Sequence, residues 1–179
     1  ITVSKPVVYV GVTGTNGKTS VTHFLAQALH LLGARPFVIG TVGHGLWPDL
    51  KPDGYTTPPA DLMAGYLADI QKSGATHVLM EVSSHALVQH RVDTVPFDIA
   101  VLTNLTQDHL DYHKSMGNYV AAKAKLFAWP SLQYIVMNQD DPSANVLTRH
   151  VLRSAKCDKP KKITYAQKSQ SDIHILSTE

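Results

Sequence analysis

Between an apolar β-branched run (Val7 to Val10) and an apolar-periodic stretch lies Gly11-Val12-Thr13-Gly14-Thr15-Asn16-Gly17-Lys18-Thr19-Ser20. These residue types at this spacing suit one chemistry, the gripping of a polyphosphate. Glycines let successive backbone N–H groups turn toward anionic oxygens, and a helix starting where the loop ends adds its positive dipole end. Lys18 is long enough to reach β and γ phosphates, and the Thr19 hydroxyl is a hard oxygen ligand for Mg²⁺. The usual glycine loop has its first glycine where this chain has Val12, with Gly11 and Gly14 to either side. A lysine followed by a hydroxyl, with a strand before and a helix after, outweighs that departure and favours a nucleotide over an ordinary strand-to-helix turn.

Open α/β sheets bind ligands beyond the carboxyl ends of their strands, and further candidates fall at such places. Glu81 closes an apolar run from His77, where phosphate-loop enzymes keep a Mg²⁺-binding acid; on its own it could equally be a strand-end acid facing solvent. Asp108-His109-Leu110-Asp111-Tyr112-His113 follows an apolar run that ends in Thr103-Asn104. His109 and His113 are four apart and on a helix could share a zinc ion, but two imidazoles with no cysteine nearby do not complete a tetrahedral site. An exposed polar turn is a credible reading for Asp111 and His113, and a less credible one for His109, directly after Asp108 at a strand end. Lys123 lies on the following helix and by residue type alone is a solvated helix lysine.

The elements that must position these groups alternate between the two periods. A helix with Val21, Phe24, Leu25, Ala28, Leu29 and Leu32 on its apolar face stops at Gly33, and a strand runs from Arg35 to Gly40. Residues 41–59, rich in glycine and proline, read as a functional loop of about twenty residues. Thr57 then looks like the hydroxyl cap of a helix with proline in its first turn, an early acid at Asp61, and Leu62, Met63, Tyr66, Leu67 and Ile70 inward. Gly74 ends it. Strands are expected at His77–Val82, Phe97–Leu102, Tyr134–Met137, Ile163–Tyr165 and Ile173–Ile175, with helices at Asn118–Phe127 and Ser143–Leu152. This order predicts an α/β fold with a mostly parallel sheet flanked by helices, one nucleotide-binding domain over residues 1–179.

Bulk composition narrows the function classes. The 179 residues are 44% hydrophobic and 17% charged with a net charge of +2, an ordinary globular balance that argues against disorder, nucleic-acid binding and membrane binding. Lys159-Pro160-Lys161-Lys162 reads as a solvated loop and the one linker-like stretch. Cys157 is the single cysteine, which excludes an internal disulfide and points to a reducing compartment. No apolar segment approaches a membrane span, and no signal segment opens the chain. The first residue is Ile1 rather than methionine, as expected of a piece excised from something longer.

Taken together, these stretches resemble the Mur ligases, the ATP-dependent amide-bond-forming enzymes of peptidoglycan synthesis. The likeness rests on Gly14-Thr15-Asn16-Gly17-Lys18-Thr19, Gly40-Thr41-Val42-Gly43, Thr56-Thr57-Pro58, Glu81-Val82-Ser83-Ser84-His85-Ala86-Leu87, Thr103 to His113, and Tyr119-Val120-Ala121-Ala122-Lys123 with Leu126-Phe127. Beyond Phe127 it thins, although Asn138-Gln139-Asp140-Asp141-Pro142 still fits. Within the family the likeness is to members that add the third amino acid of the peptide. The family has a UDP-binding N-terminal, a central ATP-binding and an amino-acid-binding C-terminal domain, and the resemblance implies that residues 1–179 are most of the central one.

The resemblance also implies roles. Gly14, Thr15, Asn16, Gly17, Lys18, Thr19 and Ser20 hold the ATP phosphates; Thr19 and Glu81 bind one Mg²⁺; and His109 and Lys123 help hold a second, Lys123 as a carbamate formed with CO₂. A carbamate attracts Mg²⁺ where an ammonium repels it. Thr56, Thr57, Ser83, Gln89 and Arg91 match positions that contact UDP-N-acetylmuramoyl-L-Ala-D-Glu. The implied reaction phosphorylates the D-glutamyl γ-carboxylate to an acyl phosphate, which the amine of meso-diaminopimelate or L-lysine then attacks. A cytoplasmic, monomeric bacterial enzyme is expected, with the isolated piece inactive. Three other readings compete: a folylpolyglutamate synthetase-like ligase, a fragment that only binds nucleotide, and a GTPase-type switch suggested by Asn138-Gln139-Asp140-Asp141, which lacks the lysine of the guanine-reading motif.

Overall fold

Alternation in the first strand sets the layers. In the computed structural model, which describes residues 7–154 and 160–176, Val8–Thr13 forms β1, with Val10 and Val12 turned to one side and Gly11 to the other. The chain continues through α1 (Lys18–Leu31), β2 (Pro36–Gly40), β3 (Gly43–Leu46), α2 (Ala60–Ser73), β4 (His77–Glu81), α3 (Ser84–Val88) and β5 (Ile99–Leu102). It ends with α4 (Leu110–His113), α5 (Met116–Phe127), β6 (Tyr134–Asn138), α6 (Ser143–Ser154), β7 (Lys161–Ala166) and β8 (Ile173–His174). The eight strands make one sheet in the order β3-β2-β4-β1-β5-β6-β7-β8. Every pairing is parallel except β2 with β3. This is the α/β, mostly parallel, helix-flanked sheet that the alternating pattern predicts.

Both faces of the central strands are buried. On one, Val10, Val12, Val38 and Leu79 pack on α1 around Ala26. On the other, Phe37, Ile39, Val78, Met80 and Leu102 join Met63, Tyr66 and Ile70 of α2 and Tyr119, Leu126 and Phe127 of α5. Each fully buried side chain of this kind stabilises the fold by about 1.5–3 kcal/mol relative to exposure.

Five expectations are corrected. Residues 41–59 are not all loop: Gly43–Leu46 folds back antiparallel on β2, and a bridge joins His44 to Lys51. Thr57 does not cap α2, whose N-cap is Pro59; its hydroxyl instead donates to the Glu81 carbonyl oxygen at 2.8 Å. The α1 stripe is narrower than its apolar residues suggest. Thr22 and Ala26 are buried and Val21, Leu25 and Leu29 half-buried, but Ala28 and Leu32 are exposed and Phe24 is 70% exposed. Small residues on the inner line let the helix lie close to the sheet, which turns its flanks outward. Finally, His113 is buried rather than part of an exposed turn. Helix α5 also begins two residues before Asn118, at Met116, because Ser115 caps it by accepting from Asn118 N. Cys157 and Lys159 lie outside the described residues.

Phe97 is fully buried and meets the Trp129 ring edge-on at 5.5 Å between centroids. Phe97→Ala is expected to cost about 3–5 kcal/mol in denaturant unfolding; a cost below 1 kcal/mol would show that this packing is not limiting.

Candidate active site

Three adjacent strands deliver the site. β4, β1 and β5 are parallel neighbours, with Val12 opposite Glu81 and Thr13 opposite Leu102, so their carboxyl ends finish side by side. The glycine loop leaves β1 between them and enters α1 through Gly17, which is left-handed at φ 82° and provides no side-chain cap. The first-turn N–H groups of α1 therefore stay available to a ligand, and no acid occupies that turn.

Lys18 arches back over the loop. Its Nζ donates to the carbonyl oxygens of Gly14 (2.9 Å) and Thr15 (3.0 Å). Burial lowers its pKa, opposed by the charges of Glu81 and Asp108. Glu81 is wholly buried, and its carboxylate accepts from Thr19 Oγ1 at 2.8 Å, Thr41 N at 2.9 Å and Thr41 Oγ1 at 3.2 Å. Gly40 makes this possible, since a Cβ there would overlap Glu81 Oε1.

The Thr19 and Glu81 oxygens suit Mg²⁺. An octahedral ion with bonds of about 2.0–2.1 Å sets neighbouring ligand oxygens about 2.9 Å apart, and these two already stand at that separation. Among the described residues no cluster of three His, Cys, Asp or Glu side chains could hold a metal alone. A hydroxyl, one carboxylate and phosphate oxygens is the donor set Mg²⁺ commonly takes.

Lys123 approaches from beneath. It is 1% exposed, with Nζ 2.9 Å from the Gly14 carbonyl oxygen and 4.7 Å from the Tyr119 ring centroid. Burial first and the Lys18 charge second push its pKa down to about 7, against the pull of Asp108. It is not a solvated helix lysine. His109 stands at the cleft with φ 53° at the start of α4, its Nε2 3.4 Å from Asp108 Oδ2. Behind it His85 meets His109 edge-on at 5.0 Å and stacks against Tyr112 and His113. His113 Nε2 in turn lies 2.9 Å from Ser84 Oγ. Burial, then His109, lowers the His85 pKa.

These groups open on a cleft of about 490 Å³. One wall carries Thr15, Asn16, Gly17, Lys18 and Thr19, and the other Thr56, Thr57, Ser83 and Arg91, with Glu81 and His109 between. Lys123, Ser20, Gly14 and Gln89 do not line it. Gln89 Oε1 instead accepts from Arg91 Nε at 2.7 Å and from its Nη2, while Arg91 Nη1 donates to the Thr57 carbonyl oxygen at 3.1 Å. Thr41, Tyr55 and His85 also line the cleft and carried no role in the sequence reading. Gly40-Thr41 at a strand end was the available signal for the first. Asp140 and Asp141 bind backbone: Asp140 accepts from the N–H groups of Gln167, Lys168 and Ser169, and Asp141 from those of Leu105 and Ser143.

A family model described as the Mur ligase middle domain matches residues 12–178. The UDP-N-acetylmuramoyl-L-alanyl-D-glutamate–2,6-diaminopimelate ligase of Pseudomonas putida is 56% identical over 149 residues, 83% of this chain and 30% of that protein. Its counterpart from Ralstonia nicotianae is 53% identical over 138 residues, 77% of this chain and 27% of that protein. This chain thus spans about three-tenths of the length of these relatives. A solved structure of a ligase with the same description superposes with a TM-score of 0.88 at 36% identity, covering 98% of this chain and 35% of the other. E. coli FolC in complex with DHPP and ADP, with a TM-score of 0.68 at 17% identity over 90% of this chain and 43% of its own, shares the fold alone.

Two tests follow from this geometry. Gly40→Ala is expected to displace the Glu81 carboxylate, cost about 1–3 kcal/mol and abolish any dependence of nucleotide binding on Mg²⁺; unchanged Mg²⁺ dependence in calorimetric titration counts against the site. For Lys123, the unfolded chain keeps its proton up to about pH 10.5 while the folded chain releases it near 7. Between those values the unfolded state binds more protons, so this group makes stability rise with pH. In metal-free, CO₂-free buffer Lys123→Met should remove that rise and be more stable than the parent at pH 7, and parallel pH–stability curves for the two proteins would refute it.

Proposed function

The chain belongs to the Mur ligase family, and from that premise we propose that it carries the ATP and Mg²⁺ site of the ligase that joins 2,6-diaminopimelate to UDP-N-acetylmuramoyl-L-alanyl-D-glutamate. One observation carries this reading: the Thr19 hydroxyl and Glu81 carboxylate lie 2.8 Å apart beside Lys18, in a cleft whose far wall holds Thr56, Ser83 and Arg91. A nucleotide triphosphate on the first wall and an anionic acceptor on the second would meet over Glu81. Diaminopimelate is preferred to lysine because the relatives at 53–56% identity are named for it.

The residues divide the work. The amides of Gly17, Lys18 and Thr19 orient the terminal phosphates, and Lys18 exchanges the carbonyls of Gly14 and Thr15 for phosphate oxygens as charge builds during transfer. Thr19 and Glu81 hold one Mg²⁺, and His109 with carbamylated Lys123 helps hold a second. The ions supply neutralisation of phosphate charge. Lys123 suits carbamylation because its amine is buried beside a second cation, which favours the neutral nucleophilic form. Arg91, braced by Gln89 and the Thr57 carbonyl, offers its guanidinium to an anionic substrate. ATP use implies the bacterial cytoplasm; among the described residues no helix is long and apolar enough to cross a membrane. Residues 1–179 then form most of the central domain, and its work as a monomer is part of the same proposal.

The test is a binding panel. The chain should bind MgATP in preference to MgGTP, and UDP-N-acetylmuramoyl-L-Ala-D-Glu in preference to a folate. Lys18→Ala should weaken MgATP by about ten- to a hundredfold, because a charge-assisted hydrogen bond contributes about 1.5–3 kcal/mol. Preference for GTP, or full affinity without Lys18, removes the proposal; preference for the folate moves it to the folylpolyglutamate branch.

A further inference from the structure

We infer that Asn104, which does not itself line the cleft, is the residue that holds the phosphate loop in its gripping shape. Its side-chain amide faces the Asn16 peptide as a strand neighbour would: Oδ1 accepts from Asn16 N at 3.0 Å, and Nδ2 donates to the Asn16 carbonyl oxygen at 3.0 Å. Both bonds demand this amide orientation, since the flipped one would set donor against donor and acceptor against acceptor.

The pairing extends the β1–β5 ladder past its end. Thr103 N donates to the Thr13 carbonyl oxygen at 3.0 Å and Thr15 N to that of Asn104 at 2.9 Å, so the Asn104 side chain supplies the next rung where the backbones diverge. Thr103 Oγ1 adds a bond of 2.6 Å to the Asn16 carbonyl oxygen and sits where a Cβ on Gly14 would be. One residue further, Thr15 Oγ1 exchanges bonds with the carbonyl and N–H of Thr106, at 3.1 and 3.0 Å. The loop is thus tied along its inner edge from Thr13 to Asn16 by residues 103–106, while Tyr119 and Lys123 add bonds to Thr15 and Gly14 from α5.

The consequence is directional. With the Asn16 N–H and C=O turned inward, the chain passes into left-handed Gly17, and the amides of Gly17, Lys18 and Thr19 face the cleft together. A loop fixed in this way has already lost the conformational freedom that phosphate binding would otherwise remove. Asn104 is a positioning residue, because it acts on phosphate through the loop.

The inference rests on the phosphate-loop reading above, and the experiment separates the two. Affinities of the chain for MgATP and for inorganic tripolyphosphate are measured in the parent, Asn104→Ala and Thr103→Val, with hydrogen exchange of the Asn16 amide followed in each. Asn104→Ala should weaken both ligands about equally, by about tenfold, and release the Asn16 amide to fast exchange. Thr103→Val should do so less, and it serves as the test should Asn104→Ala fail to fold. A parent that binds and an Asn104→Ala that binds equally well overturn the inference alone. Loss confined to ATP also overturns it, since that would mark a contact with the nucleoside. A parent that binds neither ligand takes down the phosphate-loop reading itself, while an unprotected Asn16 amide in the parent removes the strap whatever the affinities.

Discussion

The Glu81 carboxylate is a wholly buried anion held by neutral donors, and the site is organised around it. Removing a carboxylate from water is costly unless hydrogen bonds or a counter-charge compensate. Here a hydroxyl from the phosphate loop and an amide and hydroxyl from the end of β2 provide the bonds. Among the described residues no ion pair reaches it. The arrangement is possible only because β4 lies between β1 and β2, so that their carboxyl ends flank it, and because Gly40 has no side chain. A divalent ion between Thr19 and Glu81 would supply a counter-charge in direct contact, with little movement of either oxygen.

The two lysines form the opposite half of the same electrostatic arrangement. Lys18 and Lys123 both donate to the Gly14 carbonyl oxygen, one from above the loop and one from below. Two ammonium groups on one acceptor repel, and that repulsion together with burial draws the Lys123 pKa toward neutrality. A polyphosphate relieves the tension by drawing Lys18 away. A negative modification on Lys123 would relieve it from below. Acid and lysines thus carry opposite unmet charges, which a magnesium–polyphosphate complex would satisfy together.

Much of this was legible in the sequence because local rules and global fold agree there. Val8–Thr13, the glycine loop and α1 follow strand alternation and glycine punctuation, and Glu81 falls at a strand end in the sheet that carries the loop. β3 escaped because Gly43-His44-Gly45-Leu46 has neither alternation nor β-branched residues, and exists through pairing with β2. Thr57 carries a capping signal that a tertiary partner overrides: the Glu81 carbonyl leaves β4 within reach of its hydroxyl. His113 reads as polar and exposed until α3 places Ser84 against it. Lys123 shows the limit most plainly, since its environment is made by loop, sheet and Tyr119 together and nothing in its own helix announces it.

Glu81 also joins the two walls of the cleft through different atoms. Its carboxylate holds Thr19 of the phosphate loop and Thr41, and Thr41 Oγ1 lies 3.0 Å from Thr56 Oγ1. Its backbone carbonyl holds Thr57, whose hydroxyl also accepts from Ser83 N at 3.0 Å. An ion held on the carboxylate would still leave the Thr41 hydroxyl with Thr56 as a partner. The backbone anchor to Thr57 does not depend on the carboxylate and keeps the wall in place meanwhile. One residue thus bonds both walls, by its side chain on one side and by its backbone on the other, and the floor between them is fixed by the sheet that carries it.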